Sequence, residues 1–257
     1  MIGRRVARGA TGVAGLVVAA EIAGASGLLD PAVLPRMSTI LLEAVRLPAD
    51  PEFTADLVAT LRVWAMGLLI AVLGAVPLGL VLGNLRRAET AARPLVEFLR
   101  PIPSIALIPL VTLLVPSTEA VKIIAVVYAA SWPVLINTMY GLKDVDPVAR
   151  ETLRSFGFGR LAVLRRVSLP SAAPFVMTGV RLASSIAFVV TVSTELLAGG
   201  VSGIGVYMIR AGSGLRTDLI IACVLWTGAL GLVANVLLVR LQRQAFRWHA
   251  VKAVGEP

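Results

Sequence analysis

Residues 57–83, LVATLRVWAMGLLIAVLGAVPLGLVLG, carry one charged side chain, Arg62, in 27 positions. At 1.5 Å of rise per residue a helix of this length exceeds the ~30 Å hydrocarbon core of a bilayer. In lipid every backbone N–H and C=O must find its partner inside the segment, and a helix meets that demand by itself. The stretch therefore reads as a membrane-spanning helix. Gly79 and Gly83 form a small-xxx-small pair on it, which lets a second helix approach closely.

Five further stretches share this composition, near 10–29, 95–115, 120–141, 172–197 and 218–240. Glu97 and Arg100 fall early in the second of these, and Pro101, Pro103 and Pro109 interrupt it. Over the whole chain 57% of residues are hydrophobic, 15% are charged and the mean hydropathy is +0.87. A soluble domain of 257 residues needs more polar surface than this to cover its core. The expected fold is all-α, a polytopic membrane protein with about six transmembrane helices. Cys223 is the sole cysteine and lies in an apolar run, so no intrachain disulfide or thiolate metal site can form, and it reads as a core residue.

The net charge of +9 does not mark a nucleic-acid face, because the basic residues fall in short clusters between apolar stretches and no base-reading motif accompanies them. Such clusters flank the cytoplasmic ends of membrane helices. They lie at Arg4, Arg5 and Arg8, at Arg86, Arg87 and Arg93, from Lys143 to Arg166, and from Arg240 to Lys252. The intervening segments hold only scattered bases such as Arg36, Arg46, Arg210 and Arg216. Six crossings with both termini and the loops 84–94 and 142–171 on the cytoplasmic side satisfy every cluster. The basic start, apolar centre and small Ala23 and Ala25 of the first stretch also fit a cleaved signal peptide, whose removal would leave the remaining topology unchanged. On this reading 1–56 is an N-terminal span with an external segment, 57–241 is the membrane core and 242–257 is a cytoplasmic tail. Within the external segment, 35–45 has the apolar spacing of a short surface helix. In the tail, Trp248 and His249 read as an interfacial anchor.

The loop 142–171 has its own pattern. Asp146 is a good N-cap, with Pro147 at the first helical position, where a missing N–H costs nothing. Val148, Thr152 and Phe156 then share one face at spacing four. Gly157 and Gly159 break that helix, and Arg160–Ser168 can form a second, basic one ending before Leu169-Pro170. The expected result is a compact amphipathic knob.

This loop resembles the motif of binding-protein-dependent ABC importer permeases: Glu-Ala-Ala, three residues, Gly, nine residues, Ile, any residue, Leu-Pro. Glu151, Gly157, Val167, Leu169 and Pro170 fall in register, with Thr152 and Leu153 in place of the alanines and Val for Ile at 167. From about Thr60 to Arg210 the chain is similar to the nitrate, sulfonate, taurine and bicarbonate importer branch. The resembling segments include Arg100–Leu110, Pro133–Thr138, Gly179-Val180-Arg181 and Glu195 with the Gly199–Gly205 turn. Leu114-Val115-Pro116-Ser117 departs from that branch. The resemblance implies a type I ABC importer permease fold in a bacterial inner membrane, with two permease subunits, expected here as a homodimer, forming the pathway. It further implies two ABC ATPase subunits that bind ATP and Mg and dock against the knob, and an external solute-binding protein that delivers a small, anionic cargo. None of Lys122, Lys143 and Lys252 follows a phosphate-cradling glycine loop, so the expected chain is a non-catalytic subunit.

Ionisable groups near apolar spans are candidates for the gate or pathway. Arg62 and Arg181 are expected within a turn or two of span ends, where they snorkel or face the path. Glu195, near the outer end of the fifth span, is hydrated, pairs with a base such as Arg210, or lines the gate. Asn137 is a further pathway candidate, although polar side chains in membrane helices often bond a neighbouring backbone. An ion-coupled secondary transporter would need coupling residues at mid-membrane and inverted repeats. A lipid-modifying transferase would need acids or histidines clustered at one leaflet. Neither pattern is evident.

Overall fold

A computed structural model describes residues 2–26, 30 and 33–246, and every regular element among them is helical. Of the expected tail 242–257, the residues from 247 onward, with Trp248, His249 and Lys252, lie outside the described residues. The contacts divide the chain into two units, one made of the described residues up to Thr60 with Val201–Leu230, the other of Leu61–Gly200 with the described residues after Leu230.

The first unit contains α1 (Ile2–Ala25), α2 (Met37–Arg46), the opening turns of α3 (Pro51–Asn84), α10 (Ile204–Ser213) and the first half of α11 (Thr217–Ala245). The helix expected at 35–45 is α2. Its Ser38 donates both its backbone N–H and its hydroxyl to the Glu21 carboxylate of α1, at 2.8 and 3.0 Å. The core gathers Ile40, Leu47, Phe53, Ile204, Tyr207 and Cys223, and Phe53 meets Tyr207 edge-on at 5.5 Å between ring centroids. Cys223 is a buried core residue, as expected.

The second unit is built on close helix approach. Along α3 the small residues Gly67, Ala71, Ala75, Gly79 and Gly83 recur every four positions, which stacks them on one face. A Cβ on Gly67, Gly79 or Gly83 would stand 2.5–2.7 Å from side-chain atoms of Val126, Thr138 or Leu142, all on α6 (Thr118–Lys143). The small pair therefore does what its spacing implied. On its other side α6 runs antiparallel to α9 (Leu169–Ala198). Gly141 meets Ala172 and Phe175, Gly179 meets Pro133 and Asn137, and Gly200, just past α9, meets Lys122.

Four helices are long and apolar enough to cross a membrane: Pro51–Asn84, Thr118–Lys143, the continuous run Arg160–Ala198 and Thr217–Ala245. They account for four of the six expected spans. The stretch at 95–115 is divided between α4 (Arg86–Leu99) and a 3₁₀ turn at Ser104–Leu107 that leads into α5 (Ile108–Leu114), with an 80° bend at the break. Pro101 and Pro103 cause it, since neither donates a backbone hydrogen bond and each ring crowds the preceding turn. The first stretch is helical over Ile2–Ala25, and among the described residues its apolar part is Thr11–Ala25. The segment read as the loop 84–94 is mostly helix, because α4 begins at Arg86. Its charges lie at helical spacing, with Arg93 bound to Glu97 at 2.8 Å.

Candidate functional site

The knob forms as its residues direct. Asp146 accepts the Val148 N–H at 2.8 Å and caps α7 (Pro147–Ser155). At the other end the Phe158 N–H returns to Leu153 O and the Gly157 N–H to Arg154 O. This is a Schellman motif, and Gly157 occupies its left-handed position at φ +79°. Beyond Gly159 the chain enters α8 (Arg160–Val163), then a widened π turn at Leu164–Ser168, then α9.

The second knob helix was expected to stop before Leu169-Pro170, and it does not. The Leu169 N–H bonds Leu164 O, five residues back, and this wider turn makes room for the Pro170 ring, so the helix continues into the membrane. Val167 is half-buried in the widened turn and Leu169 follows it at the start of α9. The knob and α9 are thereby one mechanical piece.

Two contacts fix the base of the knob. The Arg150 guanidinium donates to the Leu142 carbonyl at the end of α6, and Lys143 pairs with Glu89 of α4. At its tip, Val148 is 66% exposed, Phe156 78% and Leu161 66%. Arg166 lies 4.7 Å over the Phe158 ring. Glu151 is exposed, its carboxylate in no ion pair among the described residues, and Thr152 turns its hydroxyl back to Val148 O. Leu153 is half-buried. The knob thus presents a rigid apolar surface with an uncommitted carboxylate at its edge.

The remaining candidates separate. Arg62 reaches Glu119 at 3.4 Å with both side chains exposed, a contact of small energy. Arg181 is not near a helix end, because twelve residues, about 18 Å of helix, precede it in α9. It is half-buried and has no acidic partner among the described residues. Glu195 is not hydrated: it is 0% exposed. Arg210 is bound to Glu52 and Asp56 within its own unit. Asn137 is half-buried and donates to Pro133 O at 2.8 Å.

Sequence reading missed two features. Lys122 is buried on α6; the antiparallel register with α9 sets it level with the segment from Glu195 to Gly200. At the helix break a cavity of about 390 Å³ opens, its lining including Arg100, Ser104, Tyr128, Trp132 and Asn137. The proline-flanked Arg100 was the available signal for it.

Long apolar helices, a helix broken beside a cavity and a knob continuous with a spanning helix define a multi-pass membrane permease. Residues 75–247 match the family described as binding-protein-dependent transport system inner membrane component, and the chain belongs to that family. It is 29% identical over 228 residues to the taurine transport system permease protein of Escherichia coli, covering 86% of this chain and 82% of that one. It is 28% identical over 229 residues to the putative aliphatic sulfonates transport permease protein of Bacillus subtilis, covering 89% and 83%. A chain of the bacterial alginate ABC transporter, crystallised in complex with alginate pentasaccharide-bound periplasmic protein, shares the fold with a TM-score of 0.66 at 16% identity, over 91% of this chain and 94% of that one.

Proposed function

We propose that this chain is the pathway-forming subunit of an ATP-driven importer for a small anionic solute of the sulfonate, taurine, nitrate or bicarbonate kind. Two copies of the chain enclose the path. An external binding protein delivers the solute, and ABC ATPase subunits, which bind ATP and Mg, dock on the knob from the cytoplasm. The termini lie on that same side.

The observation that supports this reading best is the knob itself. Its tip is apolar and exposed although it is covalently continuous with a spanning helix, which suits a surface that a partner covers. Closure of the partner around nucleotide would displace Val148, Phe156 and Leu161 together. The Arg150 contact and the unbroken run from Arg160 to Ala198 would pass that displacement to α6 and α9 as rigid-body tilting between two packings. The names of the taurine and sulfonate relatives support an anionic cargo.

Affinity purification of the tagged chain from its native membranes, with identification of the ATPase and binding protein that accompany it, tests the reading. Recovery of an ATPase that detaches when Phe156 is replaced by Asp is the expected outcome. A chain that transports solute with no ATPase bound would overturn it.

A further inference from the structure

The cavity at the helix break has a polar character of one kind. α4 carries the chain only about 21 Å before the break, less than the ~30 Å of a hydrocarbon core. On the neighbouring helices the cavity is lined by Tyr128 to Asn137 of α6 and by Leu182 and Ile186 of α9, near the middle of both. Irregular backbone at such depth persists only where it is buried in protein or lines a hydrated space. Here it lines the cavity.

Among the described lining residues Arg100 is the charged one, and it has no acidic partner. The Ser104 hydroxyl makes no hydrogen bond to the described protein, and the Trp132 indole N–H is buried without an acceptor. Asn137 spends one amide N–H on Pro133 O and keeps the other. Tyr128 has its proton committed to Leu99 O at 2.6 Å. Arg100, the Trp132 indole, the free Asn137 N–H and the Ser104 hydroxyl can all donate, no lining carboxylate opposes them, and Arg181, next to Leu182 in the chain, adds a second cation with no acidic partner among the described residues. The Arg100 side chain is exposed at the break and open to an anion that enters the cavity.

The geometry points to an oxyanion-binding station in this cavity, where the Arg100 guanidinium and the Ser104 hydroxyl hold the sulfonate, carboxylate or bicarbonate head of the solute in transit. The inference rests on the importer reading above and adds to it a site within the permease itself. Guanidinium is the side chain best matched to such heads, since its fork meets two oxygens at once. Ile102, Leu182 and Ile186 add apolar surface to the lining beside these polar groups. An anion leaving the external binding protein would meet here a positive stop on its way between the two faces of the membrane.

The test is direct binding of radiolabelled methanesulfonate, and separately of bicarbonate, to the purified complex in phosphatidylcholine nanodiscs. Dimethyl sulfone serves as the neutral competitor of nearly the same shape. Saturable binding of at least one anion is expected, with no displacement by the sulfone. Arg100→Gln should weaken it about tenfold or more, as loss of a charge-assisted hydrogen bond implies, with Arg100→Lys intermediate. Ile186→Trp, which fills the cavity and leaves Arg100 in place, should abolish binding, and it carries the test if Arg100→Gln is not recovered folded. Absent binding, wild-type binding in both variants, displacement by the sulfone, or loss of binding when phosphatidylglycerol is added to the nanodiscs would each overturn the station; the last would assign the cavity to a lipid headgroup. A complex that retains its ATPase and imports solute while failing these tests sinks the station alone. Failure to recover any ATPase sinks the importer reading and leaves the binding measurement standing.

Discussion

One oxygen of the Asp56 carboxylate accepts the backbone N–H of Gly203 at 2.8 Å, and its other oxygen meets the Arg210 guanidinium. Four residues on, Thr60 Oγ1 accepts the Ile204 N–H at 2.8 Å. Two side chains one turn apart on α3 therefore cap the start of α10, whose own N-cap residue, Gly203 at φ +134°, has no side chain to do so. Nearby, burial first, and then the Asp50 carboxylate that accepts its hydroxyl at 2.9 Å, push the Tyr207 phenol above its usual range. Tyr207 stays a neutral donor across the physiological range.

The expected outcome for Asp56→Ala is a loss of about 1–3 kcal/mol, because one buried N–H group and a cation lose an acceptor. Asp56→Asn, which keeps an oxygen toward Gly203, should cost less. Thermal unfolding in detergent together with hydrogen exchange at 203–210 reads both. Equal melting of Asp56→Ala and the parent would show that the cap is dispensable.

Glycine positions on α3 should differ sharply in tolerance. A Cβ at Gly79 would lie 2.7 Å from Thr138 Cβ and 3.1 Å from Leu135 O, whereas one at Gly74 meets nothing within 4 Å. Gly74→Ala should leave stability unchanged or slightly raised, since alanine favours the helix. Gly79→Val should cost about 1–3 kcal/mol through overpacking against α6. Comparable folded yield and melting temperature for the two variants would contradict the packing described.

This contrast also shows how far the sequence could be read. The spans over α3, α6, α9 and α11 were legible because a lipid-exposed helix must be apolar over a fixed length, and the Asp146 cap and Gly157 stop were legible because they are local. What depended on distant partners was not. Asp56 looks like an ordinary helix-start acid until Gly203 is brought to it. Residues 84–94 were read as a loop from their charges, although Arg93 and Glu97 stand at helical spacing. Leu169-Pro170 looked like a stop, because a π turn that absorbs proline leaves no signature in residue types. Arg100 and Ser104 gained meaning only when the break set them beside Trp132 and Asn137.

Glu195 was read as an acid near an external mouth, and its complete burial changes what substitution should do. A buried carboxylate is retained only when its oxygens are engaged, so its loss strands whatever engages it. Glu195→Leu should lower the melting temperature of the permease and reduce its membrane yield, with Glu195→Gln milder because it keeps one acceptor. Wild-type melting with a selective loss of uptake would instead return Glu195 to the gate.

The knob supports the most decisive comparison. Gly157 is the left-handed residue of the Schellman motif, and a Cβ there would meet no atom within 4 Å, so only backbone conformation resists substitution. A β-branched side chain is the most costly in that region, by about 1–2 kcal/mol, while asparagine tolerates it. Gly157→Val should misdirect the turn between α7 and α8 and weaken ATPase association, and Gly157→Asn should largely preserve it. Glu151, exposed and without an ion pair among the described residues, is free to meet a basic partner. Glu151→Lys should lower association severalfold, more at low salt than at high salt, as expected for a charge at the rim of an interface. Quantitative co-purification from matched membranes at two ionic strengths reads all three, with solute uptake measured in parallel. If Gly157→Val and Glu151→Lys both retained the ATPase and supported uptake at the parent level, the knob would be a solvated connection, and the coupling assigned to Val148, Phe156 and Leu161 would have to be sought elsewhere on the cytoplasmic face.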